Sequence, residues 1–107
     1  MEILLILDHA TFQEDYLAVA EACAPYCDMI RYRAKELTAA QIYENASRLR
    51  DKLPHTTLVL SEYADMAHAL GYDGVNLGAR SMPVDVVKST FPTLQVSYSA
   101  HTAEECS

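Results

Sequence analysis

Positive charge is scarce in this sequence, which has 8 Lys and Arg residues against 15 Asp and Glu residues and a formal net charge of −7. Proteins that bind nucleic acid usually carry a basic stripe that contacts the phosphate backbone. We therefore expect no nucleic-acid partner. Half of the residues are hydrophobic, and this argues against disorder, because disordered segments have too little apolar surface to bury.

We expect neither a membrane span nor a basic leader. No apolar stretch approaches the roughly 20 residues that a membrane-spanning helix needs, and Met1 and Glu2 lead directly into a strand-like run. The cysteines are Cys23, Cys27 and Cys106, an odd number, and a pair of thiols is too small a ligand set for a typical metal site. Free thiols fit a reducing compartment. These features predict a cytoplasmic protein without a membrane partner.

Strand and helix signals alternate along the chain. Strand-like runs rich in leucine and β-branched residues recur about every 20 to 27 residues, and each is followed by a helix or a helix start. They are predicted at Met1–Leu7, Asp28–Tyr32, Thr56–Leu60, Asp73–Leu77 and Thr93–Ser99. Apart from Glu2, the first run is apolar, which is typical of a strand covered on both faces. Such alternation predicts parallel strands joined by right-handed crossovers.

Helix boundaries follow from capping and breaking signals. A Ser or Thr followed three residues later by Glu or Gln forms a capping box, and a glycine or proline after an apolar stripe ends a helix. These signals predict helices from Thr11 to about Ala24, from Thr38 to Pro54, over Ala64–Leu70 before Gly71, and from Pro83 to about Thr90.

Two architectures accommodate this alternation: an open, doubly wound sheet and the first half of an eight-unit (β/α)8 barrel. No G-x-G-x-x-G motif follows the first strand, which weakens the dinucleotide-binding version of the open sheet. In a barrel, the chemistry lies at the carboxyl ends of the strands. Polar residues fall at those ends here: Asp8, His9, Arg33, Lys35, Ser61, Glu62, Asn76, Arg80, Ser81, Ser99 and His101.

Two of these residues suggest an anion site. Arg33 and Lys35 are two residues apart at a strand end, so their side chains point to the same side, and together they can hold an anionic group. The alternative is that both are simply solvated. With the neighbouring hydroxyls and histidines, the pair favours a site for a phosphorylated small molecule. His9 could line the mouth of this site, but we assign it no role.

Three segments resemble motifs of the thiamine phosphate synthase family. The run from Ile30 to Lys35 ends in its Arg-x-Lys pattern, residues 67–78 are similar to its Ala-Leu-Gly-x-Asp-Gly-Val-His-Leu-Gly segment, and residues 99–105 are similar to its Ser-x-His-Ser-x-Glu-Glu segment. The motifs keep the order and spacing of the family. The resemblance implies an α/β fold in which residues 1–107 form one incomplete domain, the first five βα units of a TIM barrel.

The family has a synthase branch, which joins a pyrimidine diphosphate to a thiazole phosphate. The resemblance implies that Mg²⁺ is held there by an Asp after the third strand and another after the fourth. Glu62 and Ser81 take these positions here, and Ser61 replaces the Asn beside the first. A serine cannot neutralise a metal ion as a carboxylate does, so we expect Mg²⁺ only if the chain is synthase-like.

The second branch, the thiazole tautomerases, moves a proton on a thiazole phosphate carboxylate without a metal. The catalytic histidine of the family corresponds to His101, and histidine suits proton transfer near neutral pH. The resemblance implies substrate contacts from Arg33, Lys35, Ser61, Glu62, Asn76 and Ser99. We expect a tautomerase without a cofactor. The alternatives are a thiamine phosphate synthase and a catalytically silent half-barrel that binds a phosphorylated ligand or serves in assembly.

The end of the sequence also carries an expectation. Thr102 and Glu105 form a capping box, but only Cys106 and Ser107 follow, and so short a helix is not stable in water. We therefore expect the remaining strands to come from a homodimer partner or from a complementing C-terminal half. Any activity then depends on that second half.

Overall fold

A computed structural model describes residues 3–78 and 81–98. The strands are β1 (Leu4–Asp8), β2 (Met29–Arg33), β3 (Leu58–Ser61), β4 (Gly74–Leu77) and β5 (Gln95–Tyr98). The helices are α1 (His9–Phe12), α2 (Tyr16–Cys23), α3 (Ala39–Lys52), α4 (Ala64–Ala69) and α5 (Val84–Thr90), and short 3₁₀ helices cover Gln13–Asp15 and Ala24–Tyr26. In this part of the chain, no helix has the length and apolar character needed to cross a membrane.

The strand order decides between the two architectures. The strands form one parallel sheet in the order β1-β2-β3-β4-β5. A doubly wound sheet reverses its strand order at a switch point, whereas a (β/α)8 barrel adds each strand beside the preceding one. The sequential order therefore confirms the barrel-type α/β fold.

The helices cover one face of the sheet. Alternate strand residues such as Leu7, Tyr32 and Leu60 join helix residues in one hydrophobic core. The opposite face, called the inner face below, carries these residues: Leu4, Ile6, Asp8, Met29, Arg31, Arg33, Val59, Ser61, Gly74, Asn76, Gln95 and Ser97. Leu4 and Ile6 are 45% and 46% exposed. The prediction that the first strand is covered on both faces is thus wrong for the described residues, because no further strands face it.

The first helix begins earlier than predicted. Asp8 is its N-cap, and the backbone N–H of Ala10 donates to Asp8 Oδ1 at 3.1 Å. The helix breaks at Gln13, whose φ is 47°, and resumes at Tyr16. The predicted capping box at Thr11 is therefore wrong, because the Asp8 carboxylate satisfies the free N–H group first and Thr11 already lies inside α1.

The capping box of the second predicted helix is confirmed. The Gln41 N–H donates to Thr38 Oγ1 at 3.2 Å, and the Thr38 N–H donates to Gln41 Oε1 at 3.0 Å. The apolar stripe of this helix, α3, is buried in the core, so the helix lies against β2 and β3 and sets the path of the chain between them.

Candidate functional site

Four predicted site residues line one narrow crevice at the carboxyl ends of β2 and β3, together with the core residues Tyr32, Ile42 and Leu60. The crevice itself leaves no room for a water molecule. Arg33 ends β2 and Lys35 follows two residues later, while Ser61 ends β3 and Glu62 comes next. The crevice, called the β2–β3 crevice below, contains all four. The carboxyl ends of adjacent parallel strands lie at the same edge of a sheet, which is why residues far apart in sequence meet here.

The two cations of the crevice form no salt bridge within the described residues. Asp8 lies opposite Arg33 in the register of β1 and β2, and its Oδ1 accepts a hydrogen bond from the N–H of Ala10 at the start of α1. The ion pairs of the described residues involve other cations: Arg48, Arg50 and Lys52. The guanidinium of Arg33 and the ammonium of Lys35 are therefore available to a ligand.

Ser61 lines the same crevice with a hydroxyl that has no hydrogen-bond partner among the described residues. The residue is only 9% exposed, and among the described residues its Oγ is a buried side-chain atom without a hydrogen-bond partner. A buried hydroxyl without a partner costs about 1–3 kcal/mol. A ligand that accepts a hydrogen bond from Oγ would recover this cost.

Glu62 follows in a strained backbone conformation. Its φ is 77°, and the N–H of Tyr63 donates to the carbonyl oxygen of Ser61 at 3.1 Å, which is the pattern of a classic γ-turn, a rare and strained form. The N–H of Glu62 also donates to the carbonyl oxygen of Asn76 at 2.7 Å. Strain of this kind in a non-glycine residue is concentrated at functional sites.

Asn76 extends the polar row on the inner face. Ser61, Asn76 and Ser97 pair in register across β3, β4 and β5. Asn76 is buried, and the hydroxyl of Ser97 donates to its Oδ1 at 2.8 Å. Ser97 was missed by the sequence analysis, although its alternation with Val96 on β5 was a signal that could have placed it on this face.

Several predicted site residues cannot be placed. Ser99 and His101, with Arg80 in the preceding loop, lie outside the described residues. Their roles, including proton transfer by His101, remain predictions. Ser81 is described, and its side chain makes a hydrogen bond within the loop after β4. The N–H of Gly78 donates to Ser81 Oγ at 3.0 Å.

His9 does not line the mouth of the crevice. It is 8% exposed, and its Nδ1 lies 3.2 Å from the hydroxyl of Tyr32. Its ring also contacts the ring of Tyr16, with centroids 5.4 Å apart. Tyr32 points into the helix-covered core, where burial raises its pKa above the ordinary tyrosine value. His9 is thus part of the packing behind the sheet.

The donor set does not fit the Mg²⁺ site implied by the resemblance. Glu62 supplies a carboxylate, but the lone pairs of Ser81 serve the loop. Within residues 3–78 and 81–98, no group of three or more His, Cys, Asp and Glu side chains could hold a metal ion. Mg²⁺ is usually bound through one or two carboxylates plus substrate phosphates. We therefore derive no step through a metal.

A larger depression lies at the opposite end of the strands. It encloses about 480 Å³ and is lined in part by His55, Thr57 and Arg50. The guanidinium of Arg50 is already used, because it donates to the carbonyl oxygen of Thr56 at 2.8 Å and pairs with Asp73 at 3.3 Å. Barrels keep stabilising residues rather than chemistry at this end, so we assign this depression a structural role.

Comparison with known proteins identifies the family. The family model described as thiamine monophosphate synthase matches residues 3–107. This chain belongs to that family. The chain shares its fold with a solved structure, a thiamine phosphate pyrophosphorylase from Pyrococcus furiosus. The two structures superpose with a TM-score of 0.78 and are 27% identical in sequence. The superposition covers 96% of this chain and 52% of that one.

Relatives in the thiamine monophosphate synthase family are longer than this chain. A putative thiamine-phosphate synthase 2 from Aquifex aeolicus is 32% identical over 102 residues, which are 92% of this chain and 55% of that protein. A thiamine-phosphate synthase from Ruminiclostridium cellulolyticum is 31% identical over 91 residues, or 80% of this chain and 43% of that protein. The chain thus spans about half the length of these relatives. Their names favour the synthase branch over the tautomerase branch.

Proposed function

We propose that this chain supplies the N-terminal half of a thiamine-phosphate synthase-type active site and holds an anionic group of the substrate with Arg33 and Lys35, at the carboxyl end of β2. One observation carries the proposal: Arg33 and Lys35 lie in one crevice with Ser61 and Glu62, and neither cation has an ion-pair partner among the described residues. The names of the relatives support the synthase branch.

The chemistry of Arg33 and Lys35 suits a phosphate-bearing substrate. Arginine presents a planar set of N–H donors that matches phosphate oxygens in a bidentate geometry, and lysine adds a compact charge. In the proposed reaction, a bond to the thiazole forms as the bond between the pyrimidine unit and its diphosphate breaks, and the electron pair leaves with the diphosphate. Arg33 and Lys35 would stabilise this developing negative charge, since fixed cations at such positions lower the barrier.

A thiazole tautomerase is the second candidate. The observation that favours it is Ser81, which stands where the synthase branch has a carboxylate and is engaged with the N–H of Gly78. In this candidate, His101 transfers the proton and Ser99 contacts the substrate. The relatives' names support the synthase as the first candidate. A silent binding half-barrel would retain Arg33 and Lys35 without turnover.

Turnover in either case needs further strands. The described strands number five in sequential order, and closing an eight-stranded barrel needs three more. Two copies of this chain would bring ten, so a complementing C-terminal half fits the barrel count better than a homodimer does.

The test of the proposal is the binding of inorganic phosphate by isothermal titration calorimetry. Replacing Arg33 by glutamine removes a charge-assisted contact, so we expect Arg33→Gln to weaken phosphate binding by about tenfold or more. The matched control is Arg48→Gln, because Arg48 is an exposed arginine on α3 that pairs with Glu44. It should bind as the wild type does. Equal affinities of Arg33→Gln and the wild type would contradict the proposal.

A further inference from the structure

A hydrogen bond joins the ends of β1 and β2 on the helix-covered side of the sheet. His9, the residue after β1, is buried, and its Nδ1 lies 3.2 Å from the hydroxyl of Tyr32 on β2. The two rings also meet edge to face, with centroids 6.3 Å apart. Because Tyr32 is fully buried in the core, this contact holds the two strand ends together from behind.

The same strand ends carry opposite charges on the inner face. Asp8 lies opposite Arg33 in the register of β1 and β2, and each is the chain neighbour of one member of the His9–Tyr32 pair. None of the ion pairs of the described residues includes Asp8 or Arg33. Instead, Asp8 Oδ1 accepts a hydrogen bond from the N–H of Ala10 at the start of α1.

The direction of the Asp8 carboxylate decides how much charge Arg33 offers to a ligand. A carboxylate that caps a helix is held by the first N–H groups and by the helix dipole. A carboxylate that turns to a guanidinium forms a strong pair with it and neutralises it. Neighbouring strands are about 4.8 Å apart, so this second arrangement is within reach of both side chains. Whatever holds α1 in place therefore keeps Arg33 free.

α1 is too short to hold itself in place. It covers only His9–Phe12 and breaks at Gln13, whose φ is 47°, and so short a helix is not stable on its own. Its first residue is His9, so the hydrogen bond to Tyr32 fixes the helix at the point where Asp8 caps it.

We propose that His9 and Tyr32 are positioning residues that keep the Asp8 carboxylate on α1 and away from Arg33, so that Arg33 keeps its charge for the substrate anion. This inference rests on the proposed function. Without the hydrogen bond between His9 and Tyr32, α1 loosens, and Asp8 pairs with Arg33 in competition with the ligand. Both residues act through Asp8.

A matched tyrosine separates positioning from stability. Tyr16 is buried in the same ring cluster and donates its hydroxyl to the carbonyl oxygen of Asn45 at 3.1 Å, but it does not line the β2–β3 crevice. Tyr32→Phe and Tyr16→Phe should both be less stable in urea, because each loses a buried hydrogen bond. Only Tyr32→Phe should weaken the binding of inorganic phosphate, by about three- to tenfold in calorimetry.

A double-mutant cycle with Asp8 tests the route of the effect. Asparagine also caps helices, but it carries no charge, so Asp8→Asn leaves no carboxylate that can turn to Arg33. In the Asp8→Asn background, Tyr32→Phe should change phosphate affinity by less than about twofold. A merely structural role of Tyr32 would give the same loss of affinity with and without the Asp8 carboxylate.

Two variants of His9 test the other member of the pair. His9→Asn keeps a polar group where Nδ1 lies, whereas His9→Leu has none. His9→Leu should weaken phosphate binding as Tyr32→Phe does, and His9→Asn should bind within about twofold of the wild type. The side chain of Asn45 also hydrogen-bonds Tyr32, so the His9 variants isolate the contact proposed here. They decide the matter if Tyr32→Phe does not fold.

The outcomes separate this inference from the proposed function. If the wild type binds phosphate and both Tyr32→Phe and His9→Leu bind it equally well, the positioning role is contradicted and the proposed function stands. An equal loss of affinity in Tyr16→Phe, or a loss that persists in the Asp8→Asn background, also overturns the inference. If the wild type does not bind phosphate, the proposed function fails and this inference fails with it.

Discussion

At the residue scale, the sequence predicted the cations at the end of β2 but gave no sign of the backbone strain at Glu62. Arg33 and Lys35 could be predicted because they follow a recognisable strand, and the structure brings them into one crevice with Ser61 and Glu62. The backbone strain of Glu62 had no sequence signal, since a positive φ at glutamate is imposed by tertiary contacts.

The strain at Glu62 predicts an inverted stability order. Alanine is normally more stabilising than glycine, but at a φ of 77° glycine avoids the clash of a Cβ atom. We expect Glu62→Gly to be more stable than Glu62→Ala by about 1 kcal/mol in urea denaturation. The same pair of substitutions at Glu44, in the exposed part of α3, should show the usual order, with alanine ahead by about 1 kcal/mol. Alanine ahead at both positions would show that Glu62 is unstrained.

At the element scale, the capping-box pattern predicted one helix start correctly and another incorrectly. The capping box at Thr38 forms as predicted, but the box at Thr11 does not, because Asp8 caps the chain three residues earlier. The sequence could show that a cap was present near the first strand. It could not rank two competing caps, since the choice depends on how β1 presents Asp8 to the backbone of α1.

Gly74 and Gly71 are glycines for different structural reasons. Replacing each by alanine should therefore lower the free energy of unfolding by different amounts. A Cβ atom at Gly74 would lie 2.7 Å from the carbonyl oxygen of Gln95, whereas Gly71 has open space but a φ of 73° after α4. We expect Gly74→Ala to destabilise the protein by about 3 kcal/mol, because β4 and β5 must separate. Gly71→Ala should cost only about 1 kcal/mol, the penalty of a left-handed conformation. Urea denaturation measures both, and a neutral Gly74→Ala would refute the close approach of the two strands.

At the scale of the whole molecule, the described residues form five parallel strands of a barrel-type fold with the helices that connect them, and nothing among these residues covers the inner face at Leu4 and Ile6. Alternating strands and helices predicted this fold because local periodicity encodes parallel crossovers, and the sequential strand order confirms it. What would complete the barrel could not be predicted in the same way, since local periodicity describes only the strands and helices in which it occurs. The exposed Leu4 and Ile6 mark the inner face that further strands would cover.

The most direct test of the anion site compares the carboxyl ends of the strands with their amino ends. In ¹H–¹⁵N spectra of the chain titrated with inorganic phosphate, we predict shifts of the backbone amides at Arg33, Lys35 and Glu62, because these residues line the β2–β3 crevice. The amides of Thr57 and Gly71, at the larger depression of the opposite end, should not move. Shifts confined to Thr57 and Gly71 would contradict the assignment of the anion site to the carboxyl ends of the strands.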